Sequence, residues 1–259
     1  MATTITDPLL VDREGSVLTL TLNRPDKLNS FDTALLRSLA EAMAEAREDE
    51  AVRAVVITGS GRGFSAGADL SEGLREPVRR RLALRYTPII TAMRAMEKPV
   101  IAAVNGVAAG AGMSLALAAD FRIAAESASF LLAFARIGLI PDAGSTFFLP
   151  RLVGLARAME LAMLADQIPA SEALRIGLVN RVVADAELAS AAGELADRLA
   201  RGPFSLGLIK RALNQSLVSD LGTQLQHEED LQALAMASGD FAEGVTAFRD
   251  KRPAVFQGR

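Results

Sequence analysis

The stretch "PVIAAVNGVAAGAGMSLALAADFRIAAE", residues 99–126, carries the clearest prediction of the fold in this chain. It begins with a continuous apolar run that ends at Asn105-Gly106, a pattern typical of a buried strand. A glycine-rich turn follows, then "MSLALAAD", which is typical of a helix, and then the extended segment "FRIAAE". This order of strand, turn, helix and strand predicts a layered α/β core.

Residues 99–119 of this stretch carry no charge and are long enough to cross a bilayer. They also contain Pro99, Asn105, Ser114 and three glycines, and most of the rest is alanine, which is only weakly apolar. We therefore expect buried elements and no membrane span. The opening "MATTITDPLLVDREG" has no basic leader before an apolar core, so we expect no signal peptide and a cytoplasmic protein.

The same alternation of strand and helix recurs before this stretch. "VLTLTLNRP", from Val17, and "AVVITGSG" predict two strands. One helical stripe is formed by Phe31, Leu35, Leu39 and Met43. Strand signals stop near residue 185, so we expect a core over residues 1–190. Residues 191–259 should form a helical region that packs on a neighbouring subunit.

The composition excludes several classes of site. The 259-residue chain has a net charge of -3, which does not indicate a nucleic-acid partner. It has no cysteine, so disulfides, thiol nucleophiles and cysteine-ligated metals are excluded. A single histidine, His227, excludes a multi-histidine metal site, and we expect no bound metal.

Two glycine-rich turns stand out, Gly61–Leu70 ("GRGFSAGADL") and Asn105–Ser114 ("NGVAAGAGMS"). Neither ends in the Gly-Lys-Ser/Thr of a P-loop, and Gly110-Ala-Gly112 lacks the third glycine of the dinucleotide fingerprint. Each turn follows a strand and leads towards a helix, so its backbone N–H groups could converge on one ligand oxygen. The alternative is close packing of backbone against backbone.

The segments "FSAGADL", "AAVNGVAAGAGMSLALAADFRIAAE" and "GLIPDAGST", in this order, resemble the crotonase superfamily, also called the enoyl-CoA hydratase/isomerase family. The resemblance runs from "LNRPDKLNSF" to "EGVTAFRDKRPAVF". It implies an α/β (α+β) fold, a spiral of repeated ββα units. It also implies a C-terminal helical region that builds a homotrimer or a dimer of trimers.

The resemblance further implies a coenzyme A thioester as substrate, with no permanently bound cofactor. The thioester carbonyl would accept hydrogen bonds from the amides of Ala68 and Ala111. Removing a proton beside a thioester places negative charge on that oxygen, and the loss of one such donor costs about 3 kcal/mol. Alanine at position 111 replaces the more usual glycine, which keeps the N–H and adds a methyl group.

Other positions carried over from the family are expected to bind substrate or coenzyme: Lys27, Leu28, Ala66, Asp69, Leu70, Phe134, Pro141 and Lys251. Lys251 often acts across a subunit boundary in the family, but it and Lys27 could each be a solvated surface charge. Residues 75–86, rich in arginine, could form a basic flap over the pocket or a solvated helix face. The acyl pocket should be shaped by Leu74, Phe134 and Phe148. We also expect Asp69 and Asp120 to bond turn amides or helix ends.

Family hydratases use two glutamates, and the matching positions here are Ser114 and Phe134. An ordinary hydratase is disfavoured, because hydration needs groups that orient water and move protons at both reacting carbons. Asp142 remains as the candidate acid/base, and its apolar neighbours Phe134, Ile140 and Pro141 should raise its pKa. The alternative is that Asp142 caps the following helix.

Several segments, among them "GLIKRALNQS", most resemble the ring-epoxide isomerases of phenylacetate breakdown, a branch of the same family. We therefore expect an acyl-CoA isomerase that acts through an enolate. A hydratase with Asp142 as its sole acid/base, or a catalytically degenerate CoA-binding protein, stays possible. A family dehalogenase also has an aspartate at this position, but it requires a tryptophan, which this chain lacks.

Overall fold

The computed structural model describes residues 7–72 and 77–259. Its strands are β1 Leu9–Glu14, β2 Val17–Leu22, β3 Ala54–Gly59, β4 Gly63–Ser65, β5 Val100–Val104, β6 Val107–Ala109, β7 Phe121–Ala125, β8 Ser129–Leu131, β9 Ile168–Pro169 and β10 Arg181–Val183. Across the described ranges they form two sheets, in the orders β1-β2-β3-β5-β7-β10 and β4-β6-β8-β9. β1 and β2 pair antiparallel, and every later pair in the large sheet is parallel.

The helices are α1 Thr33–Glu48, α2 Val78–Arg81, α3 Thr87–Ala95, α4 Ala111–Ala118, α5 Ser145–Val153, α6 Leu155–Leu164, α7 Ala170–Arg175, α8 Leu188–Ala200, α9 Ser205–Ser216, α10 Leu221–Met236 and α11 Gly239–Asp250. A π-helical turn, Leu82–Tyr86, joins α2 to α3. Short 3-10 turns also occur, including Ala133–Ile137.

The order of these elements repeats one unit. A strand of the large sheet, β3, β5 or β7, is followed by a strand of the small sheet, β4, β6 or β8, and then by helix. β4, β6 and β8 pair in parallel, so each unit advances by one strand in both sheets. The expected spiral of ββα units is therefore confirmed.

The stretch at residues 99–126 forms β5, β6, α4 and β7 in turn. All residues of β5 and α4 are buried, which explains why α4 is apolar on every face and carries no helical stripe. Strand β6 could not be recognised in the sequence, because three residues are too few to show an alternation of apolar and polar side chains. No described helix is both long and apolar enough to span a membrane.

Helix α1 begins at Thr33, so Phe31 of the predicted stripe precedes the helix and forms an isolated bridge with Ala68 instead. Asp32 is its N-cap, and the carboxylate accepts a hydrogen bond of 2.8 Å from the amide of Leu35. The predicted stripe is buried, with Leu35, Leu39 and Met43 fully enclosed. This stripe packs α1 against the π-helical turn and α3, which border the candidate site.

The predicted division at residue 190 falls inside α8. That helix packs on β3, β5 and β7 through Leu188, Ala192, Ala196 and Ala200, which are buried. The two-part division stays a prediction, and we propose that the outer helical layer begins at α9. In α10 the described burial is confined to Leu231, so most of this helix lies outside the core of a single chain.

Candidate functional site

The two glycine turns pack directly against each other. Gly67 has φ +89°, and a Cβ added there would lie 2.7 Å from the carbonyl oxygen of Ala109 and 3.1 Å from the amide nitrogen of Ala111. A Cβ at Gly112 would lie 2.7 Å from the Cβ of Ser65. The glycines thus serve backbone packing, as the alternative interpretation held. That packing also brings the amides of the two turns close together.

Two amides at this contact have no acceptor in the described part of the chain. The amide of Phe31 donates to the Gly67 carbonyl at 2.7 Å, and the amide of Asp69 donates to the Phe31 carbonyl at 2.9 Å. The Ala68 amide lies between these bonds and makes none. Ala111 is the first residue of α4, so its N–H has no intrahelical acceptor and carries the positive end of the helix dipole.

Five of the residues expected to bind substrate or coenzyme surround this turn. The Ala66 amide donates to the Leu28 carbonyl at 2.8 Å, while Lys27 and Leu70 are exposed on either side. Asp69 bonds the Ser71 hydroxyl at 2.6 Å and pairs with Arg24 at 2.9 Å. These hydrogen bonds, the one from Ser71 foremost, lower the pKa of Asp69 to about 2. Asp69 is therefore an ionised residue that braces the turn.

Asp142 does not cap the following helix, so the cap interpretation is wrong. The N-cap of α5 is Gly144, with φ +84°, and no side chain caps that helix. The main-chain oxygen of Asp142 accepts bonds from the amide of Ser145, at 3.1 Å, and from its hydroxyl, at 2.8 Å. In contrast, the carboxylate oxygen Oδ1 is buried and has no hydrogen-bond partner within the described residues.

Burial raises the pKa of the Asp142 carboxyl above its ordinary value, and the positive charge of Arg81 opposes this rise. The expected direction is thus confirmed. Of the three expected apolar neighbours, Phe134 is buried and Pro141 is half-buried, whereas Ile140 is 81% exposed in the single chain. A carboxyl group with a raised pKa is a stronger base once ionised.

One helical segment connects the Asp142 loop to the glycine turns. At one end the Tyr86 ring packs edge-on against Phe31, with centroids 6.2 Å apart, and Phe31 brackets the Ala68 amide. At the other end Ile90 reaches the loop, 3.5 Å from where a Cβ of Gly144 would lie. Arg85 also donates a hydrogen bond to Thr33 of α1. The segment therefore ties Asp142 and the unpaired amides to one frame.

The positions of the two family glutamates hold no carboxyl group that could act as an acid or base. Ser114 is fully buried in α4, and its hydroxyl donates to the Gly110 carbonyl at 3.2 Å. Phe134 is 7% exposed in the 3-10 turn before the Asp142 loop. In residues 7–72 and 77–259, no cluster of three or more His, Asp or Glu side chains could hold a metal ion.

Three predictions concern residues that the structure does not place at this site: Lys251, Leu74 and the arginine-rich run at residues 75–86. Lys251 is exposed at the end of α11, which packs on α10, so within one chain it does not join the site. Leu74 and the beginning of the arginine-rich run, residues 75 and 76, lie outside the described residues. The rest of that run is helical, with Arg79 exposed and Tyr86 buried, so there it is a packed helix with a solvated face.

A second cavity, of about 390 Å³, lies between the core and α9. Two of its charged side chains, Lys210 and Asp120, are satisfied by the protein. Lys210 contacts Asp120 at 2.7 Å and the carbonyls of Met93 and Lys98 at 2.7 and 2.9 Å. Asp120 also pairs with Arg94 at 3.1 Å and accepts from the Val100 amide at 2.9 Å, which confirms its structural role. This network fastens α9 to the core.

Replacing Lys210 by Met should therefore destabilise the fold. The Lys210 side chain is only 9% exposed, and its loss leaves two buried carbonyls and a carboxylate short of a donor. We expect the free energy of unfolding to fall by about 3 kcal/mol. Urea denaturation measures this, with Arg37→Met as the control because Arg37 is 73% exposed. Equal midpoints for the two variants would contradict the role given to Lys210.

Comparison with known proteins agrees with this geometry. The model of the family described as Enoyl-CoA hydratase/isomerase matches residues 12–259. The chain belongs to this family. It is 47% identical to the 1,2-epoxyphenylacetyl-CoA isomerase of Escherichia coli (strain K12), over 95% of this chain and 97% of that protein. It is 46% identical to a probable enoyl-CoA hydratase of Rhodobacter capsulatus, over 93% and 94%.

Solved structures of the enoyl-CoA hydratase/isomerase family share the fold over the full length. A putative enoyl-CoA hydratase from Streptomyces coelicolor A3(2) superposes with a TM-score of 0.93 at 41% identity, covering 100% of this chain and 98% of that one. The effect of the Arg81 charge on Asp142 was not predicted, since Arg81 stood in the sequence only as part of a basic run. No local signal relates the two residues, because they lie far apart along the chain.

Proposed function

We propose that this protein is an acyl-CoA isomerase that acts on an unsaturated or epoxide-bearing CoA thioester. The observation that carries the proposal is the buried carboxylate of Asp142, whose Oδ1 has no partner among the described residues. The positions of the two family glutamates hold Ser114 and Phe134 instead. A single base suffices to move a proton between two carbons, whereas hydration must also position a water molecule.

In the proposed reaction, the Asp142 carboxylate removes a proton from a carbon near the thioester. The electron pair of the broken C–H bond moves into the conjugated system and onto the thioester oxygen. The amides of Ala68 and Ala111 donate to that oxygen, and the N-terminus of α4 adds its dipole. Protonated Asp142 then returns the proton to a different carbon, so no atom is gained or lost.

The other residues that we propose to contact the substrate are assigned by where they lie relative to Ala68 and Asp142. Lys27, Leu28, Ala66, Asp69 and Leu70 lie around the Ala68 turn, and we propose that they bind the coenzyme. Phe134 and Pro141 flank the Asp142 loop and would contact the acyl group. Lys251 would act from a neighbouring subunit. The 1,2-epoxyphenylacetyl-CoA isomerase of Escherichia coli supports this substrate class, through its 47% identity.

A second candidate is a hydratase that uses Asp142 alone. The observation in its favour is that other relatives are named as hydratases, including the Rhodobacter capsulatus protein and the crotonyl-CoA hydratase of Syntrophomonas wolfei, at 39% identity. In that reaction Asp142 would orient water as well as move the proton.

Incubation with a cis-3-enoyl-CoA in water enriched in heavy oxygen separates these functions. An isomerase gives the 2-enoyl-CoA without label, as measured by mass spectrometry of the product. Label in a 3-hydroxyacyl-CoA as the main product would establish the hydratase instead. If the substrate binds but no tested thioester turns over, the chain is a binding protein and the isomerase proposal fails.

We also propose that the protein is a homotrimer or a dimer of trimers. The support is the apolar surface that a single chain leaves exposed on and near α9–α11, at Leu213, Val218, Leu234, Met236 and Phe248. Such a surface is typical of subunit contacts. Light scattering should give three or six times the mass of the chain, and Phe248→Asp, at a side chain 87% exposed, should reduce it. A monomer at micromolar concentration would contradict this assembly.

A further inference from the structure

Arg122 is a nearly buried cation with one donor nitrogen left over. It is the second residue of β7, is 4% exposed and lines the 390 Å³ cavity between the core and α9. Its Nε donates to the Leu178 carbonyl at 2.7 Å, and its Nη1 donates to the carbonyls of Ala119, at 2.6 Å, and Leu117, at 3.4 Å. Within residues 7–72 and 77–259, Nη2 makes no hydrogen bond, and it is not sealed from open space. An acceptor in the cavity would therefore satisfy a donor that the protein leaves unpaired.

The charged groups around this cavity do not balance. Arg94, Arg122, Arg151 and Lys210 line it, whereas Asp120 is the sole carboxylate among the described residues of its wall. That carboxylate already pairs with Arg94 at 3.1 Å and with Lys210 at 2.7 Å. Burial lowers the pKa of the Arg122 guanidinium to about 10; the charge of Asp120 opposes this effect and the like charge of Arg94 adds to it. The wall is therefore short of negative charge.

The rest of the cavity wall is mostly apolar. Side chains from four helices, α4, α5, α8 and α9, contribute to it, among them Leu117, Phe148, Leu152, Leu199 and Ile209. The cavity volume lies within the range of small-molecule sites, about 300–1,000 Å³. A guanidinium nitrogen is a strong donor to a carboxylate, and the apolar side chains favour a hydrocarbon body. The wall thus combines the two features that bind an amphiphilic anion.

The cavity is separate from the candidate active site. It lies at the C-terminal end of α4, whereas Ala111 is at the N-terminal end, and a helix of eight residues spans about 12 Å. The C-terminal end of a helix by itself repels an anion. Here the carbonyls of Leu117 and Ala119 at that end accept hydrogen bonds from Arg122, whose positive charge offsets the dipole.

We infer that this cavity is a second binding site, for a monocarboxylate with an unbranched apolar chain of medium length, and that Nη2 of Arg122 donates to the carboxylate. Charge complementarity selects this occupant. A neutral apolar molecule would leave the donor unpaired, and a cation would be repelled by the guanidinium groups. The inference does not depend on the proposed isomerase reaction.

Three ligands of one chain length test the role of charge: octanoate, 1-octanol and octylammonium, each measured by calorimetry. The wild-type protein should bind octanoate about tenfold more tightly than 1-octanol, as expected for a hydrogen bond between charged groups. Octylammonium should bind more weakly than either. Saturation with butyryl-CoA should leave the affinity for octanoate unchanged, because the thioester occupies the other site.

Two variants locate the site. Ile209→Trp adds bulk to the cavity wall at a side chain 50% exposed and should abolish octanoate binding. Its matched control is Leu174→Trp, on α7 at a side chain 44% exposed and outside this wall, which should bind octanoate as the wild-type protein does. Arg122→Met should remove the preference for octanoate over 1-octanol. If Arg122→Met does not fold, the three ligands and Ile209→Trp decide.

Four results would overturn the inference. These are equal affinity for octanoate and 1-octanol, displacement of octanoate by butyryl-CoA, unchanged octanoate binding in Ile209→Trp, and no binding of octanoate to the assembled protein. The last result would assign the cavity to a side chain of a neighbouring subunit. If octanoate binds as expected but no thioester turns over, the second site stands and only the proposed reaction fails.

Discussion

Asp142→Asn is expected to lower kcat for double-bond isomerisation by about a thousandfold, which lies within the usual contribution of a positioned acid/base. Asparagine keeps the size of the side chain but cannot accept the proton. The dissociation constant for a saturated acyl-CoA should change less than threefold or so, because the thioester contacts are backbone amides. Stopped assays of product and calorimetry measure the two quantities.

The matched control is Asp166→Asn, at an exposed aspartate between α6 and β9. It should keep wild-type kcat. Retention of turnover by Asp142→Asn would remove Asp142 from the mechanism. An equal loss of kcat and of acyl-CoA affinity would assign it to binding only.

The pH dependence follows from the same group. Because burial raises the pKa of Asp142, the base form is lost at a higher pH than for an ordinary aspartate. The rate should therefore fall with decreasing pH through that raised value.

The stability of the fold should change with pH in the opposite direction, falling as the pH rises. Stability is lost as pH rises from the unfolded pKa to the folded one, so Asp142→Asn should unfold at a higher temperature than wild type at pH 7. This gain should vanish below the unfolded pKa, near pH 4.

Ala111→Pro is expected to lower kcat about a hundredfold or more while the protein stays folded. Proline has no N–H, so it removes one of the two proposed donors to the thioester oxygen. Ala111 is the first residue of α4, a position at which helices accept proline without losing a hydrogen bond. In this variant the Cδ atom of the proline ring takes the place of the amide hydrogen.

The control for Ala111→Pro is Leu221→Pro, at the first position of α10. The preceding residue there, Asp220, is extended, with φ -76° and ψ 166°, as proline requires. This variant should keep both kcat and the melting temperature. Comparable activity of Ala111→Pro and wild type, with circular dichroism confirming the fold, would exclude the Ala111 amide from the reaction. If Ala111→Pro does not fold, a full-length protein with an ester in place of the amide at position 111 is measured instead. A lower kcat of that protein would support the role of the Ala111 N–H, and an unchanged kcat would exclude it.

The fold was predictable because its signals are local. The all-apolar run of β5 and the alternation in β2 were visible in short windows, and so was the stripe of α1. Short strands were missed, β6 and β8 among them, because each has three residues and is held by a neighbour far along the chain. The two readings of the glycine turns proved compatible, since Gly67 packs closely and so places Ala111 beside it.

Short windows of the sequence were enough to predict the fold and the family, because glycines, turn residues and apolar periods act over a few neighbouring residues. The sequence also showed that Ser114 and Phe134 stand where the family hydratases have carboxyl groups. The three-dimensional arrangement was needed to show that the carboxylate of Asp142 does not cap α5 and that its buried Oδ1 has no partner among the described residues. The partner of a buried polar group is set by segments that come together only in the folded chain, and no local pattern in the sequence records which segments meet.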